Sequence, residues 1–355
     1  MKWMTMLLAM LCATAALAVE APATAAPERA KAYFVELAAK AAAAEQQEAS
    51  VVHGKENWLF LTTELKSLGI GAEFWGENAA KVSHIPTPTA QDPLAVILDF
   101  KSQCDNAGVE LLLVPVPGKA VIYPEKISAV KDAAPRLDYY HAAFYTVLRA
   151  KGVNVCDPTP LLLQHRVDKN GAMFCRTDSH WSGQACVLVA KMLADAITPR
   201  PWYTAVPKRK YDSEVRDVQI SGDLIGMQKD PAIGAETLKL TVVKEHTAAG
   251  PAPVDSWRDS PVVLLGDSHN LIFHSGDDML YTGAGLADQL ARQLSFPVDI
   301  VAVRGSGATP ARKNLARRQD NLAGKRLIIW CFTTREFTEG QGWAKVTVVR
   351  EKAGK

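Results

Sequence analysis

The stretch that decides the fold is Val262-Val263-Leu264-Leu265-Gly266-Asp267-Ser268. Four consecutive aliphatic residues are typical of a strand buried on both faces, as in a parallel sheet. Glycine then permits a sharp turn, which sets the Ser268 hydroxyl at the carboxyl end of the strand, where α/β sheets carry their sites. Because Gly, Asp and Ser are also common in ordinary turns, the tripeptide alone leaves a strand cap and a catalytic serine both open.

Strand-like and helix-like segments alternate on both sides of this stretch. Apolar runs predict strands, and apolar stripes at helical spacing predict helices. The predicted strands are 109–114, 153–155, 238–244, 262–265, 298–303 and 327–332, and the predicted helices are 94–107, 137–150, 182–197, 287–294 and 311–318. Pro115 is expected to end the first of these strands. This alternation predicts an α/β protein with a mostly parallel sheet flanked by helices on both faces.

The first 18 residues carry the pattern of an export signal. Lys2 precedes a mostly apolar run that ends in Ala16-Leu17-Ala18, with small residues at the two positions that a signal peptidase reads. The alternative is an uncleaved segment that keeps the protein at the membrane. We expect residues 19–49 to form a lead-in that is flexible at first and helical over 28–47.

Residues 50–355 are then expected to form one domain. Val51-Val52-His53-Gly54 and Trp58-Leu59-Phe60-Leu61 predict a short hairpin at its start. Residues 199–236 are rich in proline, glycine and charge and show little periodicity, which indicates an insertion or a long loop rather than a separate domain.

The composition excludes several classes of protein. The chain has 355 residues, of which 48% are apolar and 22% charged, so a large core is possible and disorder throughout is excluded. Its 40 Lys and Arg against 38 Asp and Glu argue against a dedicated nucleic-acid-binding protein, which normally carries a concentrated basic excess. The cysteines form no CxxC pair, and we predict neither a metal site nor a cofactor.

A serine hydroxyl is a poor nucleophile without a base, and Asp178-Ser179-His180 contains the candidate base. Residues two apart in an extended segment point to the same side. The Asp178 carboxylate can then hold one imidazole nitrogen of His180 and leave the other free for the serine proton. Alternatively, Asp178 or Ser182 only caps the helix that begins near Ser182, and His180 is solvated.

Other histidines compete for the role of base. His269 adjoins Ser268, but neighbours on a turn usually diverge. His274 follows at a distance that can bring it over the serine, and His165 lies in a leucine-rich segment and is explained as structural. We prefer His180 because an acid lies close to it in the chain.

Taken together, these features resemble the alginate O-acetyltransferase family of exported SGNH hydrolase-like proteins. In that family the Asp-x-His pair precedes the serine, a circularly permuted order relative to other SGNH hydrolases. The blocks that carry the resemblance are Gly54-Lys55-Glu56-Asn57-Trp58-Leu59-Phe60-Leu61 with Glu64-Leu65, residues 111–119, Thr177-Asp178-Ser179-His180-Trp181, Gly266-Asp267-Ser268, and Leu327-Ile328-Ile329-Trp330 with Arg335. Five ordered blocks across roughly residues 50–340 are far more specific than any one of them.

The resemblance implies a three-layer SGNH-hydrolase-like fold and acetyl transfer through an acetyl group on Ser268, with His180 and Asp178 as its partners. It implies a periplasmic protein that takes the acetyl group from a membrane-bound O-acyltransferase and passes it to an exopolysaccharide. Family members place a tyrosine near the serine at the oxyanion site, and His274 stands at about that place here. His269 and Arg335 are further candidates for oxyanion or substrate contacts.

Two other functions remain open at this point. A carbohydrate acetylesterase uses the same three residues, and a non-catalytic glycan-binding component of an export complex keeps the fold without the chemistry. Basic and aromatic side chains are candidate glycan contacts, or simply solvated or packing residues. These are Lys208-Arg209-Lys210, then Arg312, Lys313, Arg317 and Arg318 on one helix, and Trp75, Trp181 and Trp257.

Overall fold

The computed structural model describes residues 28–130, 136–228 and 233–350. The predicted export signal and residues 19–27 of the lead-in lie outside the described residues. Within the three described ranges, no helix is long and apolar enough to cross a membrane. The helix predicted over 28–47 is present as α1, Glu28–Gln46.

Ten strands occur in the described residues. They are β1 (Val51–His53), β2 (Leu59–Leu61), β3 (Glu110–Val116), β4 (Asn154–Val155), β5 (Tyr211–Ile220), β6 (Glu236–Thr247), β7 (Gly250–Ala252), β8 (Val262–Gly266), β9 (Asp299–Ala302) and β10 (Leu327–Thr333).

Twelve α-helical segments follow α1 in the same part of the chain, several of them a single turn. They are α2 (Thr62–Gly69), α3 (Ala79–Val82), α4 (Pro93–Asn106), α5 (Lys119–Ile122), α6 (Pro124–Ile127), α7 (Tyr139–Ala150), α8 (Thr159–His165), α9 (Gly183–Ile197), α10 (Asp223–Met227), α11 (Leu286–Leu294), α12 (Thr309–Ala316) and α13 (Glu336–Glu339).

The central sheet has five parallel strands in the order β4-β3-β10-β8-β9. β10 lies in its middle, where Leu327 stands opposite Glu110 of β3 and Val262 of β8. The other strands form two small antiparallel sheets, β1-β2 and β5-β6-β7. The predicted α/β class with a mostly parallel sheet is therefore confirmed.

Two apolar cores lie on opposite faces of the central sheet. Successive residues of a strand point to opposite faces, so Ile329 of β10 belongs to one core and Trp330 to the other. Helices α1, α9 and α11 pack in the first core, and α4, α7 and α12 in the second. Each fully buried aliphatic side chain stabilises the fold by about 1.5–3 kcal/mol. Two helical layers around one sheet give the three-layer architecture.

Strand β3 does not end where the sequence predicts. Pro115 lies inside it, opposite Phe332 of β10. β4 pairs only with Leu112 and Leu113, so beyond these residues the other edge of β3 has no ladder to complete. The N–H that proline lacks is therefore not needed there, and the strand continues to Val116.

The interpretation of residues 199–236 as a long loop is wrong for much of that stretch. Tyr211–Ile220 form β5 and pair antiparallel with β6, and Asp223–Met227 form α10. Nearly every side chain of β5 is exposed or half-buried. Such a strand lacks the apolar alternation on which strand prediction depends.

The turn after β8 depends on the absence of a side chain at Gly266. A Cβ added there would lie 1.7 Å from the backbone oxygen of Cys331 in β10. We expect Gly266→Ala to lower the free energy of unfolding by about 3 kcal/mol or more, because two paired strands would have to separate. Urea denaturation measures this change.

Gly234→Ala is the matched control, since a Cβ at Gly234 meets nothing within 4 Å. Its effect should stay within about 1 kcal/mol. Equal stability of the two variants would contradict the close approach at Gly266.

Candidate active site

Strand β8 ends at Gly266, and Ser268 follows in a single 3₁₀ turn at the carboxyl edge of the central sheet. The Asp267 carboxylate fixes this turn. Its Oδ1 accepts a hydrogen bond from the backbone N–H of His269 (2.9 Å), and its Oδ2 accepts one from the backbone N–H of Thr333 (2.7 Å) at the end of β10. The turn is thus tied to the neighbouring strand, and Ser268 is only 7% exposed.

Asp178, His180 and Ser268 form one continuous chain of hydrogen bonds. His180 Nδ1 lies 2.7 Å from Asp178 Oδ1, and His180 Nε2 lies 2.7 Å from Ser268 Oγ. A carboxylate beside Nδ1 favours the tautomer with its proton on Nδ1, so the Nε2 lone pair faces the hydroxyl. Ser182 does cap α9 by accepting from Ala185 N–H (3.3 Å), but His180 is buried, which is inconsistent with a solvated histidine.

Asp223 is a fourth residue at this site, and it comes from the stretch that the sequence marks as an insertion. Its backbone N–H donates to Asp178 Oδ2 (2.8 Å), and its carboxylate accepts from the N–H (2.7 Å) and hydroxyl (2.5 Å) of Ser179. Its Oδ2 lies 4.0 Å from His180 Nδ1. Sequence reasoning missed Asp223, because an aspartate opening a short helix is too common to single out.

Two buried charged residues hold the segment that carries Asp178 and His180. Lys119 Nζ donates to the backbone carbonyls of Asp178 (2.6 Å) and Leu59 (2.8 Å). Glu236 accepts from the N–H and the hydroxyl of Thr177, both at 2.7 Å. Lys119 follows β3 and Glu236 begins β6, so the segment is fixed from both the central sheet and the β5-β6-β7 sheet. Sequence reasoning did not assign a role to either residue.

The carboxylates around His180 set its proton affinity. Burial alone lowers the pKa of His180, but the charge and hydrogen bond of Asp178, with smaller contributions from Asp223 and Asp267, raise it above its ordinary value. Burial likewise opposes ionisation of Asp178, yet His180 and two backbone N–H groups hold the pKa of that carboxyl well below its usual range. Burial and repulsion by Asp178 raise the pKa of Asp223.

The sequence of this chain matches a family over most of its length. Residues 51–334 fit the family described as SGNH hydrolase-like domain, acetyltransferase AlgX. The chain belongs to this AlgX family. The resemblance deduced from five sequence blocks is therefore confirmed.

One relative is the probable alginate O-acetylase AlgJ of Pseudomonas aeruginosa, which is 33% identical over an alignment of 295 residues. The alignment covers 80% of this chain and 70% of the relative. The probable alginate O-acetylase AlgJ of Pseudomonas putida is 26% identical and covers 80% of this chain and 69% of that protein.

Solved structures show the same AlgX-family fold. The O-acetyltransferase domain of Pseudomonas putida AlgJ superposes with a TM-score of 0.59 at 21% identity, covering 81% of this chain and 92% of that domain. Pseudomonas aeruginosa AlgX gives a TM-score of 0.55 at 16% identity, covering 81% of this chain and 63% of that one.

Arg335 follows β10 at the same sheet edge as Ser268. Burial opposes ionisation of Asp267, but the charge and hydrogen bond of His269 and a backbone N–H, with a smaller share from Arg335, lower the pKa of Asp267 to about 2. Arg335 Nη1 is buried, and it has no hydrogen-bond partner among the described residues. Arg335 stays a candidate for substrate contacts.

His274 and His165 each lie against a carboxylate instead. His274 Nδ1 lies 3.0 Å from both carboxylate oxygens of Asp288, near the start of α11. His165 Nδ1 lies 3.4 Å from Asp168 Oδ2. An ion pair or hydrogen bond explains both residues, and an oxyanion role for His274 stays a prediction.

Several of the candidate glycan contacts are engaged within the protein. Arg312 is fully buried, and Arg318 pairs with Asp299 at 2.5 Å. Lys208 Nζ lies 3.2 Å from the centre of the Tyr203 ring. These contacts favour structural roles for the three basic residues. Trp181 is also fully buried, so its ring is not available for stacking on a sugar.

Three atoms of the kinds that bind metals lie within 4.8 Å of one another, one each from Asp178, His180 and Asp223. Each of these residues is already bonded within the site: His180 Nδ1 lies against Asp178, and the Asp223 carboxylate accepts from Ser179. We therefore interpret the cluster as a hydrogen-bond network.

Asp223→Asn removes a negative charge 4.0 Å from His180 Nδ1. The asparagine keeps a side-chain oxygen that can accept from the Ser179 N–H. Its own backbone N–H can still donate to Asp178. A nearby negative charge favours the protonated imidazole, so we expect the pKa of His180 to fall in this variant. NMR titration of the histidine ring signals measures it.

The control is Asp195→Asn, which removes an exposed carboxylate paired with Lys191 on α9. This variant should leave the His180 titration unchanged. If Asp223→Asn also leaves it unchanged, Asp223 acts only by fixing Ser179 and its charge does not reach the imidazole.

Proposed function

We propose that this protein is an exported, periplasmic serine-dependent O-acetyltransferase that acetylates an alginate-like exopolysaccharide through an acetyl group on Ser268. The observation that carries the proposal is the contact of His180 with Ser268 Oγ on one side and Asp178 on the other, each at 2.7 Å. The AlgX family and the alginate O-acetylase names of the relatives support the acetyl group and the polymer.

In the first half-reaction, His180 Nε2 takes the Ser268 proton while Oγ attacks the carbonyl carbon of the acetyl donor. The tetrahedral oxyanion collapses, the bond to the donor breaks, and the departing group receives the proton from His180. Asp178 keeps the imidazole in the required tautomer and stabilises its protonated form. The product is an ester between the acetyl group and Ser268.

Stabilisation of the oxyanion falls to backbone N–H groups at the start of the turn. The His269 N–H is already bound to Asp267 Oδ1, which leaves the amide of Ser268 itself as the local candidate. The loop after β9 packs against the residue before Ser268, since a Cβ on Gly307 would lie 2.8 Å from Asp267 N.

In the second half-reaction, a sugar hydroxyl gives its proton to His180 and attacks the acetyl carbon. The bond to Ser268 Oγ breaks, and Ser268 regains the proton. Transfer wins over hydrolysis when the bound acceptor keeps water from the acetyl-enzyme. Because acetyl-CoA is absent outside the cytoplasm, the donor is an acetyl group passed on by a membrane-bound O-acyltransferase.

Two alternatives differ from this proposal in a measurable way. A carbohydrate acetylesterase uses the same bonds with water as acceptor, and a non-catalytic glycan-binding protein forms no acetyl-serine. The buried His180–Ser268 contact argues against the glycan-binding protein, because a histidine held against a serine has no evident use in a protein without catalysis.

Purified protein, p-nitrophenyl acetate and a mannuronate oligosaccharide test the proposal. We expect mass spectrometry to find acetyl on Ser268 and on the sugar. Ser268→Ala should slow p-nitrophenol release by about a thousandfold or more, because the nucleophile is lost. Ser213→Ala, at an exposed serine on β5, is the control and should behave as the parent protein.

Each outcome selects one function. Free acetate without acetylated sugar indicates the esterase. No acetyl adduct and no turnover that depends on Ser268 would leave only the glycan-binding protein.

A further inference from the structure

The tripeptide Asp-Ser-His occurs twice in the chain, at 178–180 and at 267–269. The second copy contains Ser268 itself. His180 is preferred as the base because an acid lies close to it in the chain. His269 meets the same criterion, since Asp267 stands two residues before it.

The two tripeptides have the same local geometry. In each, the aspartate Oδ1 accepts from the backbone N–H of its own histidine at 2.9 Å. The histidine Nδ1 lies against that same oxygen, at 2.7 Å in the first copy and 3.2 Å in the second. Each Oδ2 accepts a backbone N–H from another element, Asp223 (2.8 Å) or Thr333 (2.7 Å).

This geometry decides which nitrogen of His269 is available. With Nδ1 donating to Asp267, Nε2 carries a lone pair and accepts hydrogen bonds. In His180 the equivalent nitrogen faces Ser268 Oγ. The His269 side chain is only 2% exposed, and none of the described residues hydrogen-bonds to its Nε2. An acceptor nitrogen with no partner among these residues is open to a ligand that donates a hydrogen bond.

The two imidazoles lie side by side. Their ring centroids are 4.8 Å apart, and Trp181 packs edge-on against His269 at 5.5 Å while its Nε1 donates to the His269 carbonyl (3.0 Å). Burial, only partly offset by Asp267, lowers the pKa of His269 and so favours its neutral form. A neutral His269 acts as an acceptor rather than as a donor to an oxyanion.

Two imidazoles whose ring centroids are 4.8 Å apart can each accept from one of two hydroxyls on adjacent carbons of a sugar, over hydrogen bonds of about 2.8 Å. We propose that His269 Nε2 binds the hydroxyl next to the one that is acetylated, so that the site selects vicinal diols as acetyl acceptors. This inference rests on the transfer reaction proposed above.

The acceptor step then has a defined place for each proton. The attacking hydroxyl gives its proton to His180 Nε2, its oxygen bonds to the acetyl carbon, and the Ser268 Oγ–carbon bond breaks as Oγ takes that proton. The neighbouring hydroxyl keeps its own proton and donates it as a hydrogen bond to His269. His269 therefore orients the acceptor without a net change in its protonation.

Competition between small alcohols tests this on the unaltered protein. The acetyl-enzyme is formed from p-nitrophenyl acetate in the presence of cyclohexanol and either trans-1,2-cyclohexanediol or its monomethyl ether. We expect the diol to be acetylated about tenfold faster per hydroxyl than cyclohexanol, the effect of one hydrogen bond. The ether should match cyclohexanol, because it lacks the second donor. It is at least as bulky as the diol, so it also controls for size.

Two substitutions at the same position provide the protein-side test. His269→Asn keeps a group near Nδ1 for Asp267 but has nothing in place of Nε2, so the diol preference should fall to about one. His269→Gln puts its terminal amide where Nε2 was and should keep part of the preference. The product ratio comes from one acetyl-enzyme, so slower acetylation in a variant does not alter it.

Equal transfer to all three alcohols by the unaltered protein, or a full diol preference in His269→Asn, would overturn this inference alone. Acetylation of Ser268 with no transfer to any alcohol or to the oligosaccharide would overturn the transferase proposal, and this inference with it.

Discussion

The hydrogen bonds of the Asp178 carboxylate are the constraint on which the site depends. Desolvating an isolated carboxylate costs several kcal/mol, and Asp178 offsets this cost with three N–H donors, the backbone and ring of His180 and the backbone of Asp223. The imidazole cannot rotate without breaking one of these bonds. Its Nε2 is consequently held 2.7 Å from Ser268 Oγ before a substrate arrives, which is the preorganisation that acyl transfer needs.

Separate parts of the chain must fold together for that arrangement to exist. Lys119 at the start of α5 binds the Asp178 carbonyl, Glu236 at the start of β6 binds Thr177, and Asp223 of α10 binds Asp178 and Ser179. Asp223 and Glu236 both lie in the stretch 199–236 that the sequence marks as an insertion, and Glu236 begins β6 of the β5-β6-β7 sheet. The insertion therefore helps to support the site. Loss of its packing would free the His180 imidazole to move even with Asp178, His180 and Ser268 all present.

The sequence predicts the parts of this molecule that have local signatures. Buried aliphatic runs such as Val262–Gly266 mark the central strands, and the spacing of Asp178 and His180 marks a carboxylate–imidazole pair. Strand β5 escapes prediction because its exposed side chains carry no apolar alternation. Asp223 and Lys119 escape for another reason, since each acts through contacts distant in the chain. Long-range pairing of polar residues leaves no periodic trace in a single sequence.

The charge state of each buried carboxyl follows from the donors around it. Asp178 and Asp267 each accept backbone N–H groups and an imidazole N–H, and both have a lowered pKa despite burial. Glu336, beside the same sheet edge, is bound mainly by the Ser306 hydroxyl (2.6 Å), and burial raises its pKa to about 7. At this sheet edge, an imidazole and backbone N–H donors thus favour the ionised form of Asp178 and Asp267, whereas burial favours the protonated form of Glu336. The two histidines differ because the carboxylates around His180 raise its pKa, whereas burial outweighs Asp267 and lowers the pKa of His269.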